Sequence, residues 1–327
     1  MTFARPRRGP IRFARAALVG ALALGVAACG SSDTDTDSGG ESVTVTHARG
    51  TTTVKGTPKK VVALGNQWLD TALALGVTPV AYIDNVAVVA NGAPAWQPPK
   101  ALESAKPLNT TGNLAEQVAA LEPDLILVDG FIADEKNYTE FSKLAPTLPA
   151  LTKETVAPWQ EQVNTLGRVL HREDAARKVI TGVEDKIAGI AAADPGIKGK
   201  TFLSTWLGSA TQLMVLTDPK DGSGRVFEQL GMTIPKHLTD QPSSQGRLAL
   251  SPERVDELDA DLLIAGYSPG WDEKYRNLPG YANLPAVKKN SVVFLTVQEI
   301  TGINQPTALS VPYLLDKLTP ALANAAK

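Results

Sequence analysis

One arrangement of residues occurs twice in this chain, at positions 113–127 and again at positions 250–264. Aligned on Glu116 and Glu253, both copies have Val two residues later, Leu five later, Asp eight later, and then three aliphatic residues. The Val and Leu spacing predicts an apolar stripe on a short helix, and the aliphatic run predicts a buried strand. Two copies 137 residues apart in a chain of 327 predict two similar lobes. A two-lobed chain without an evident catalytic set is most often a clamp that closes on a ligand.

The residues that open each copy are suited to the start of a helix. Asn113 and Ser251 belong to the residue types that cap helices, and Pro252 fits a first helical position. Glu116 and Glu253 would then lie in the first turn, where the helix dipole favours a carboxylate and a capping box can close. A purely structural role is therefore one interpretation of both glutamates.

The first 28 residues are predicted to be a signal peptide. They contain five arginines and no acidic residue, and an apolar run from Ala16 to Ala28 follows. That run is too short for a membrane span, which needs about 20 residues. Residues 24–29 end in Cys29, the only cysteine of the chain, and resemble a bacterial lipobox, which implies cleavage before Cys29 and lipidation of its thiol. Ordinary secretion with an incidental cysteine is the alternative.

Residues 29–42 are predicted to be the lipidated N-terminus and a polar, disordered tether. Loss of residues 1–28 takes the formal charge from −2 to −7, so nucleic acid is not expected as a partner. A single cysteine leaves no structural disulfide. Lipid anchoring would hold the folded body just outside a membrane.

The rest of the chain divides into three parts, which together predict an α/β fold. Residues 43–157 alternate strands and helices, a pattern typical of a parallel sheet. Residues 158–193 have apolar residues at helical spacing and predict one helix of about 35 residues and about 50 Å, which Gly167 or Gly182 could bend. Residues 194–327 alternate again and predict the second lobe.

Short segments spread along the mature chain have a recognisable order and spacing. They are Lys59-Lys60-Val61-Val62-Ala63-Leu64 with Asp70, Ala74-Leu75-Gly76, Leu121-Glu122-Pro123-Asp124-Leu125-Ile126, Leu144-Ala145-Pro146-Thr147, Gln229-Leu230-Gly231, Ser251-Pro252-Glu253, and Leu284-Pro285-Ala286-Val287-Lys288 before Val292-Val293-Phe294. Together they resemble the substrate-binding lipoproteins of ABC importers for ferric siderophores, haem or vitamin B12. The resemblance implies two Rossmann-like α/β lobes joined by a single long helix, the class III periplasmic-binding-protein fold.

The resemblance also implies partners and a location. The cargo would be a ferric siderophore held reversibly, so no resident cofactor is expected, and an ABC permease with its ATPase would receive it. The protein is expected to be a monomer anchored by lipid to the outer face of the cytoplasmic membrane. In this family one glutamate of each lobe docks onto arginines of the permease, and Glu116 and Glu253 match those positions. This role is compatible with their place at a helix start.

Loops at strand ends, between the lobes, are expected to line the ligand cleft. Tryptophan and tyrosine offer flat contact area, and arginine offers charge and several donors, which suit a wide iron complex with oxygen atoms around the metal. Core packing is the alternative for each tryptophan, and it is the interpretation for Trp159. The predicted ligand-binding residues are Asn66, Trp68, Asn85 and Trp96 in the first half, and Trp206, Arg225, Arg247, Tyr267 and Trp271 in the second.

The sparse arginines favour one class of cargo. Catecholate-binding relatives bring several arginines to a trianionic iron centre, and this chain offers only Arg225, Arg247 and Arg276 in its second half. A neutral or weakly charged hydroxamate complex fits this set better. Tyr267 could serve as an axial ligand, so haem stays open as an alternative cargo, as do a catecholate complex and cobalamin.

Bare metal ions and enzymatic chemistry fit the sequence poorly. His47, His171 and His237 lie far apart and are interpreted as polar surface residues, whereas importers of zinc or manganese use several histidines and carboxylates at ligand spacing. Gly222-Ser223-Gly224 lacks the G-x-S-x-G frame, and no phosphate-binding loop is present. We expect no metal site and no catalytic residues. An envelope enzyme and a structural lipoprotein remain alternatives.

Overall fold

The computed structural model describes residues 41–154 and 156–327. The predicted signal peptide, Cys29 and almost all of the tether lie outside the described residues, and the first strand begins at Ser42. The first half contains β1 (Ser42–His47), β2 (Gly50–Lys55), β3 (Val61–Leu64), α1 (Asn66–Ala74), β4 (Ala81–Ile83), α2 (Asn85–Ala90), β5 (Lys106–Pro107), α3 (Leu114–Ala119), β6 (Leu125–Val128), α4 (Glu135–Ser142) and β7 (Thr147–Leu148).

Two helices, α5 (Trp159–Val169) and α6 (Glu173–Ala193), lead to the second half. The second half contains β8 (Phe202–Ser209), β9 (Gln212–Leu216), α7 (Arg225–Gln229), α8 (Lys236–Thr239), β10 (Arg247–Leu250), β11 (Leu262–Tyr267), α9 (Asp272–Arg276), α10 (Pro285–Lys288), β12 (Val292–Leu295), α11 (Val297–Asn304) and α12 (Ser310–Ala325). Across the described residues, no helix combines the length and the apolar character that a membrane crossing requires.

Each half of the chain builds its own five-stranded sheet, which confirms the two predicted α/β lobes. The first sheet has the order β5-β4-β3-β6-β7 and all of its strands are parallel. The second has the order β10-β9-β8-β11-β12, in which β8, β11 and β12 are parallel and β9 is antiparallel to both of its neighbours, β8 and β10. The central strands are buried on both faces, which explains why they read as unbroken aliphatic runs.

The repeated pattern occupies the same place in both sheets. The first copy forms α3 and β6, and β6 pairs with the central strand β3. The second copy forms a 3₁₀ helix, Pro252–Glu257, and β11, which pairs with the central strand β8. Asn113 and Ser251 cap the two helix starts, as predicted, by accepting hydrogen bonds from the N–H groups of Glu116 and Glu253. The second helix is a 3₁₀ helix with a kink at Arg254, unlike the first.

The predicted single helix over residues 158–193 is wrong in its extent, because the chain forms two helices there. α5 packs on α1 and so belongs to the first lobe, whereas α6 runs on to contact α7 and α12 of the second. The chain turns at His171, which has a φ of 52°. Arg172 then donates to the carbonyl of Leu75 at 2.7 Å, which satisfies the end of α1. The lobes are therefore joined by α6, whose 21 residues span about 30 Å.

A buried carboxylate also ties the two lobes together. Asp70 of α1 is 1% exposed and accepts hydrogen bonds from Trp96 Nε1 at 2.8 Å and Gln97 Nε2 at 3.0 Å, both in the first lobe. Its third donor, Thr307 Oγ1 at 2.8 Å, comes from the second lobe. The Trp96 ring also packs on Tyr313 of α12, with ring centroids 5.9 Å apart. The contact between the lobes on this side is thus fixed by directional bonds as well as by packing.

We predict opposite effects of the same substitution at two glycines of the linking helices. A Cβ at Gly167 would approach the Cβ of Ala176 to 2.6 Å, whereas a Cβ at Gly182 would meet open space. Gly167→Ala should therefore lower the free energy of unfolding by about 1–3 kcal/mol through overpacking. Gly182→Ala should raise it by about 0.5–1 kcal/mol through helix propensity. Urea denaturation of both variants measures this; a stabilised Gly167→Ala protein would contradict the close packing of α5 on α6.

Candidate functional site

A cavity of about 450 Å³ lies at the carboxyl ends of β3, β6 and β7. The chain places β4 and β5 on one side of β3 and β6 and β7 on the other, so the strand order reverses between β3 and β6. Such a switch point opens a crevice where open α/β sheets bind ligands. Gln245 of the second lobe closes part of the wall. The lining residues are Ala48, Arg49, Gln67, Trp68, Asp129, Gly130, Phe131, Ala133, Pro149, Ala150, Thr152, Lys153, Glu154, Ala157, Gln162 and Gln245.

Buried polar atoms without hydrogen-bond partners gather around this cavity. Within residues 41–154 and 156–327, such side-chain atoms are Gln67 Nε2, Trp68 Nε1, Asp129 Oδ1 and Gln162 Oε1. All four belong to residues that line the cavity. An unpaired buried polar group costs about 1–3 kcal/mol, so native proteins seldom keep one without a use. Two donors and two acceptors in one wall are suited to a polar ligand.

Asp129 follows β6 directly and is the ionisable member of this set. Its Oδ2 accepts the N–H of Gln67 at 3.1 Å and fills the space beside Gly65, where a Cβ would overlap it. Burial raises the pKa of Asp129 to about 7, hydrogen bonds from the backbone N–H groups of Gln67 and Trp68 act against that rise, and the charge of Asp70 adds to it. Burial likewise raises the pKa of Asp70 to about 6, although three donors lower it.

Arg49 and Glu154 of the cavity wall are each paired with a charged residue outside it, and Lys153 is a further cation of the wall. Arg49, in the turn between β1 and β2, donates to Glu135 and to the carbonyl of Ala133. Glu154 lies 3.7 Å from Arg225, which comes from the second lobe. The cavity therefore offers hydrogen-bonding groups rather than a concentrated positive charge.

An aromatic ring stands at the mouth of the cavity. Phe131 follows Asp129 by two residues and is 62% exposed, which is unusual for a large apolar side chain. It lies in one of the strand-end loops of the first lobe, where the cleft is expected. An exposed ring beside a polar cavity gives a ligand an apolar contact.

The structure brings one predicted ligand residue of the first lobe to the cavity. Trp68 is among the residues that line it, and its side chain is also fully buried in the core. Asn66 is buried and bonded to Asp84 at 2.6 Å and to the N–H of Val86 at 3.1 Å, so it holds the start of α2. Asn85 is the half-buried first residue of α2. Trp96 lies in the contact with Asp70 and the second lobe, away from the cavity wall.

The predicted residues of the second lobe lie farther out. Arg225 reaches the cavity through its ion pair with Glu154. Arg247, two residues after Gln245, pairs with Asp221 at 3.1 Å and also donates to Ser223. The three aromatic residues are half-buried and do not contribute to the cavity wall in the described chain: Trp206 in β8, Tyr267 against Phe294, and Trp271 beneath the ammonium of Lys274.

One histidine differs from its prediction as a surface residue. His47 is 6% exposed, because it closes the hairpin against the first sheet and bonds to Thr52 at 2.9 Å. Burial, together with the nearby charge of Arg49, lowers its pKa. His237 bonds to the carbonyl of Glu257, and His171 lies in the turn between α5 and α6. Among residues 41–154 and 156–327, no three His, Cys, Asp or Glu side chains are grouped as they would be around a metal ion.

Comparisons with known proteins give independent findings. The periplasmic binding protein family matches residues 61–299, from the start of β3 into α11, and so spans both sheets. The Fe(3+)-citrate-binding protein YfmC of Bacillus subtilis is 27% identical over 282 residues, covering 82% of this chain and 84% of that protein. The probable siderophore-binding lipoprotein YfiY of Bacillus subtilis is 26% identical over 318 residues, covering 90% of this chain and 92% of that protein. A periplasmic solute binding protein from Mycobacterium smegmatis is 28% identical with a TM-score of 0.74, covering 89% of this chain and 100% of that one.

The two buried carboxyls predict an unusual dependence of stability on pH. The folded pKa values of about 6 for Asp70 and about 7 for Asp129 exceed the ordinary value of 3.8. Their stabilising contribution is therefore complete below about pH 4 and is lost as the pH rises through 6 and 7. Asp129→Asn resembles the protonated form and should be the more stable protein at about pH 8, by an amount on the order of a few kcal/mol, because holding an ionised carboxyl in a site that favours the neutral form costs free energy.

Urea denaturation of the wild type and of Asp129→Asn at about pH 4.5 and about pH 8 measures this difference. The two proteins should have similar stability at the lower pH and differ at the higher one. Equal stability at the higher pH would show that the Asp129 carboxylate is not held at a cost in the folded protein.

Proposed function

The chain belongs to the periplasmic binding protein family, and we propose that it captures a ferric siderophore in the cavity at the first sheet and delivers it to an ABC permease. It is a binding protein rather than an enzyme, as the sequence predicted. The observation that carries the proposal is the group of four unpartnered polar atoms around one cavity. The names of the Bacillus relatives, one for ferric citrate and one for a siderophore, support an iron(III) complex as the cargo.

We propose a neutral or weakly charged complex of the hydroxamate type. The arginines near the cavity are engaged with acidic partners: Arg49 with Glu135, Arg225 with Glu154, and Arg247 with Asp221. A trianionic catecholate centre would need positive charge that these pairs have largely neutralised. The iron arrives within its chelator as cargo, bound reversibly, and the protein needs no resident cofactor.

A soluble form that begins at Gly30 should show saturable quenching of tryptophan fluorescence by an iron(III) trihydroxamate at submicromolar concentration, because Trp68 lies in the cavity wall. Trp68→Phe should lose most of the quenching, and Trp159→Phe, which changes a buried tryptophan that does not line the cavity, should keep it. Titration with ferric catecholate, haem and cobalamin tests the cargo class. Preference for one of these would change the cargo but not the transport role, and no binding of any of them, by fluorescence and by calorimetry, would sink the proposal.

Delivery is proposed to use Glu116 and Glu253. Both side chains are exposed, and each lies in the first turn of the helix that precedes the strand beside the central strand. The two carboxylates are thus equivalent points of the two lobes. Arginines on the permease would pair with both carboxylates only at a particular separation of the two lobes. Docking would therefore depend on whether the protein holds its cargo.

Charge reversal tests the docking role. The double variant Glu116→Arg with Glu253→Arg should abolish uptake of the iron complex by cells while the affinity of the purified protein stays unchanged. A matched control, Glu103→Arg with Glu184→Arg, makes the same change at two exposed glutamates elsewhere and should retain uptake. A large loss of ligand affinity in the first double variant would refute the assignment to docking.

Anchoring through Cys29 is proposed because the chain has a lipobox-like segment and because the relative YfiY is named a lipoprotein. The lipid would hold the protein at the outer face of the cytoplasmic membrane, with the residues before Ser42 as the tether. Cys29→Ser should therefore shift the protein from the membrane fraction to the soluble fraction. A Cys29→Ser protein that stays in the membrane fraction would exclude anchoring through this thiol.

A further inference from the structure

The two oxygens of the Asp129 carboxyl have different surroundings. Oδ2 accepts the backbone N–H of Gln67 at 3.1 Å, at the start of α1. Oδ1 is buried, has no hydrogen-bond partner, and belongs to a side chain of the cavity wall. Of the two carboxyl oxygens, Oδ1 is therefore the one left with hydrogen-bonding capacity for a ligand at this wall.

The position of a bound proton follows from this asymmetry. Because Oδ2 is occupied in accepting N–H groups, a proton on the carboxyl lies on Oδ1. Protonated Asp129 then presents an O–H donor to the ligand, and ionised Asp129 presents a charged acceptor at the same point. Burial brings the pKa of Asp129 to about 7, so both forms are populated near neutral pH.

The neighbours of Oδ1 determine which form suits the ligand. Gln67 Nε2 and Trp68 Nε1, both on α1, are unpaired donors of the same wall. With the Oδ1 proton they make three donors, which match the oxygen-rich surface of an iron(III) chelate. Gln162 Oε1, from α5, is the unpaired acceptor that remains for a donor on the chelator.

The other charged groups near Asp129 or around the cavity come from four parts of the chain. Asp70, on α1, raises the pKa of Asp129 by its charge and is itself held by three donors. Arg49 lies in the turn after β1, and Lys153 and Glu154 lie in the segment after β7. Arg225, from the second lobe, is paired with Glu154. Asp129 is thus the acidic group of the cavity wall whose outer oxygen is left unpaired.

We propose that Asp129 is a proton-controlled, specificity-determining residue of this site. Its protonated form donates from Oδ1 to an oxygen of the iron(III) complex, beside Gln67 and Trp68, and its ionised form repels that oxygen. Above neutral pH, each binding event takes up one proton from solution onto Oδ1, and release returns it. This inference rests on the proposed function. It adds that the affinity for the iron(III) complex falls as the pH rises, and that ionisation of Asp129 is the cause.

The test is calorimetry with the iron(III) complex of a trihydroxamate as probe, between about pH 5.5 and about pH 8.5. Wild-type affinity should be nearly constant at the acid end and should fall about tenfold for each pH unit above 7. Asp129→Asn, with an amide in place of the acid, should bind with the same affinity at every pH. Glu154→Gln, which neutralises another carboxylate of the same wall, should keep the wild-type slope.

Repeating the wild-type titration at about pH 8, in buffers of different ionisation enthalpy, should report uptake of close to one proton. Wild-type binding that is equally tight across the range, or that tightens as the pH rises, would overturn the inference and leave the proposed function standing. An unchanged slope in Asp129→Asn would also overturn it. Wild type that binds no complex at any pH would overturn the proposed function and the inference together.

Discussion

A buried polar atom without a hydrogen-bond partner costs a folded protein about 1–3 kcal/mol. In this chain the parallel sheet, the start of α1 and helix α5 converge to hold four such atoms around one cavity. Elsewhere in residues 41–154 and 156–327, the buried side-chain nitrogen and oxygen atoms have hydrogen-bond partners. The unpaired buried polar atoms therefore lie around the cavity, where a bound ligand could form hydrogen bonds with them.

Asp70 and Asp129 show how the same kind of residue is used in two ways. Both are buried, and burial raises the pKa of each. Asp70 receives three side-chain donors, one of them from the other lobe, and so fixes the contact between the lobes. Asp129 receives backbone donors on one oxygen only, because Gly65 lets the carboxyl approach the start of α1. The Asp70 carboxyl therefore stabilises the contact between the lobes, and the Asp129 carboxyl keeps one oxygen available to a ligand.

Local patterns predicted most of the scaffold. The aliphatic runs predicted the central strands, and the repeat predicted the equivalent helix and strand of each lobe. The capping residues Asn113 and Ser251 predicted where the two repeat helices begin. The break at His171 coincides with a gap in the apolar spacing, because residues 171–178 hold no apolar residue larger than Ala. The turn itself depends on Arg172 reaching Leu75, a contact that no local pattern records. The position of Trp96 depends on Thr307 through Asp70, a contact between residues 237 apart that no local pattern records.

The candidate site was harder to predict than the fold. Trp68 was identified from its place after a strand, and Asp129, which directly follows β6, could have been found by the same rule. Gln162 gave no signal, since a polar residue beside Val163 on a helix is usually solvent-exposed, yet it is 2% exposed. Tyr267 and Trp271 of the second lobe were predicted as ligand residues from the chemistry of their side chains. In the structure Tyr267 packs against Phe294 and Trp271 against Lys274, contacts that the sequence does not indicate.

The most direct test of the central claim is the position of the iron in a crystal of the protein with an iron(III) trihydroxamate. Anomalous scattering measured at the iron absorption edge locates the metal independently of any interpretation of the ligand. The account predicts a single strong peak in the cavity bounded by Trp68, Asp129 and Gln245. A peak elsewhere, for example beside Tyr267 and Trp271 of the second lobe, would show that the unpartnered polar atoms do not form the binding site.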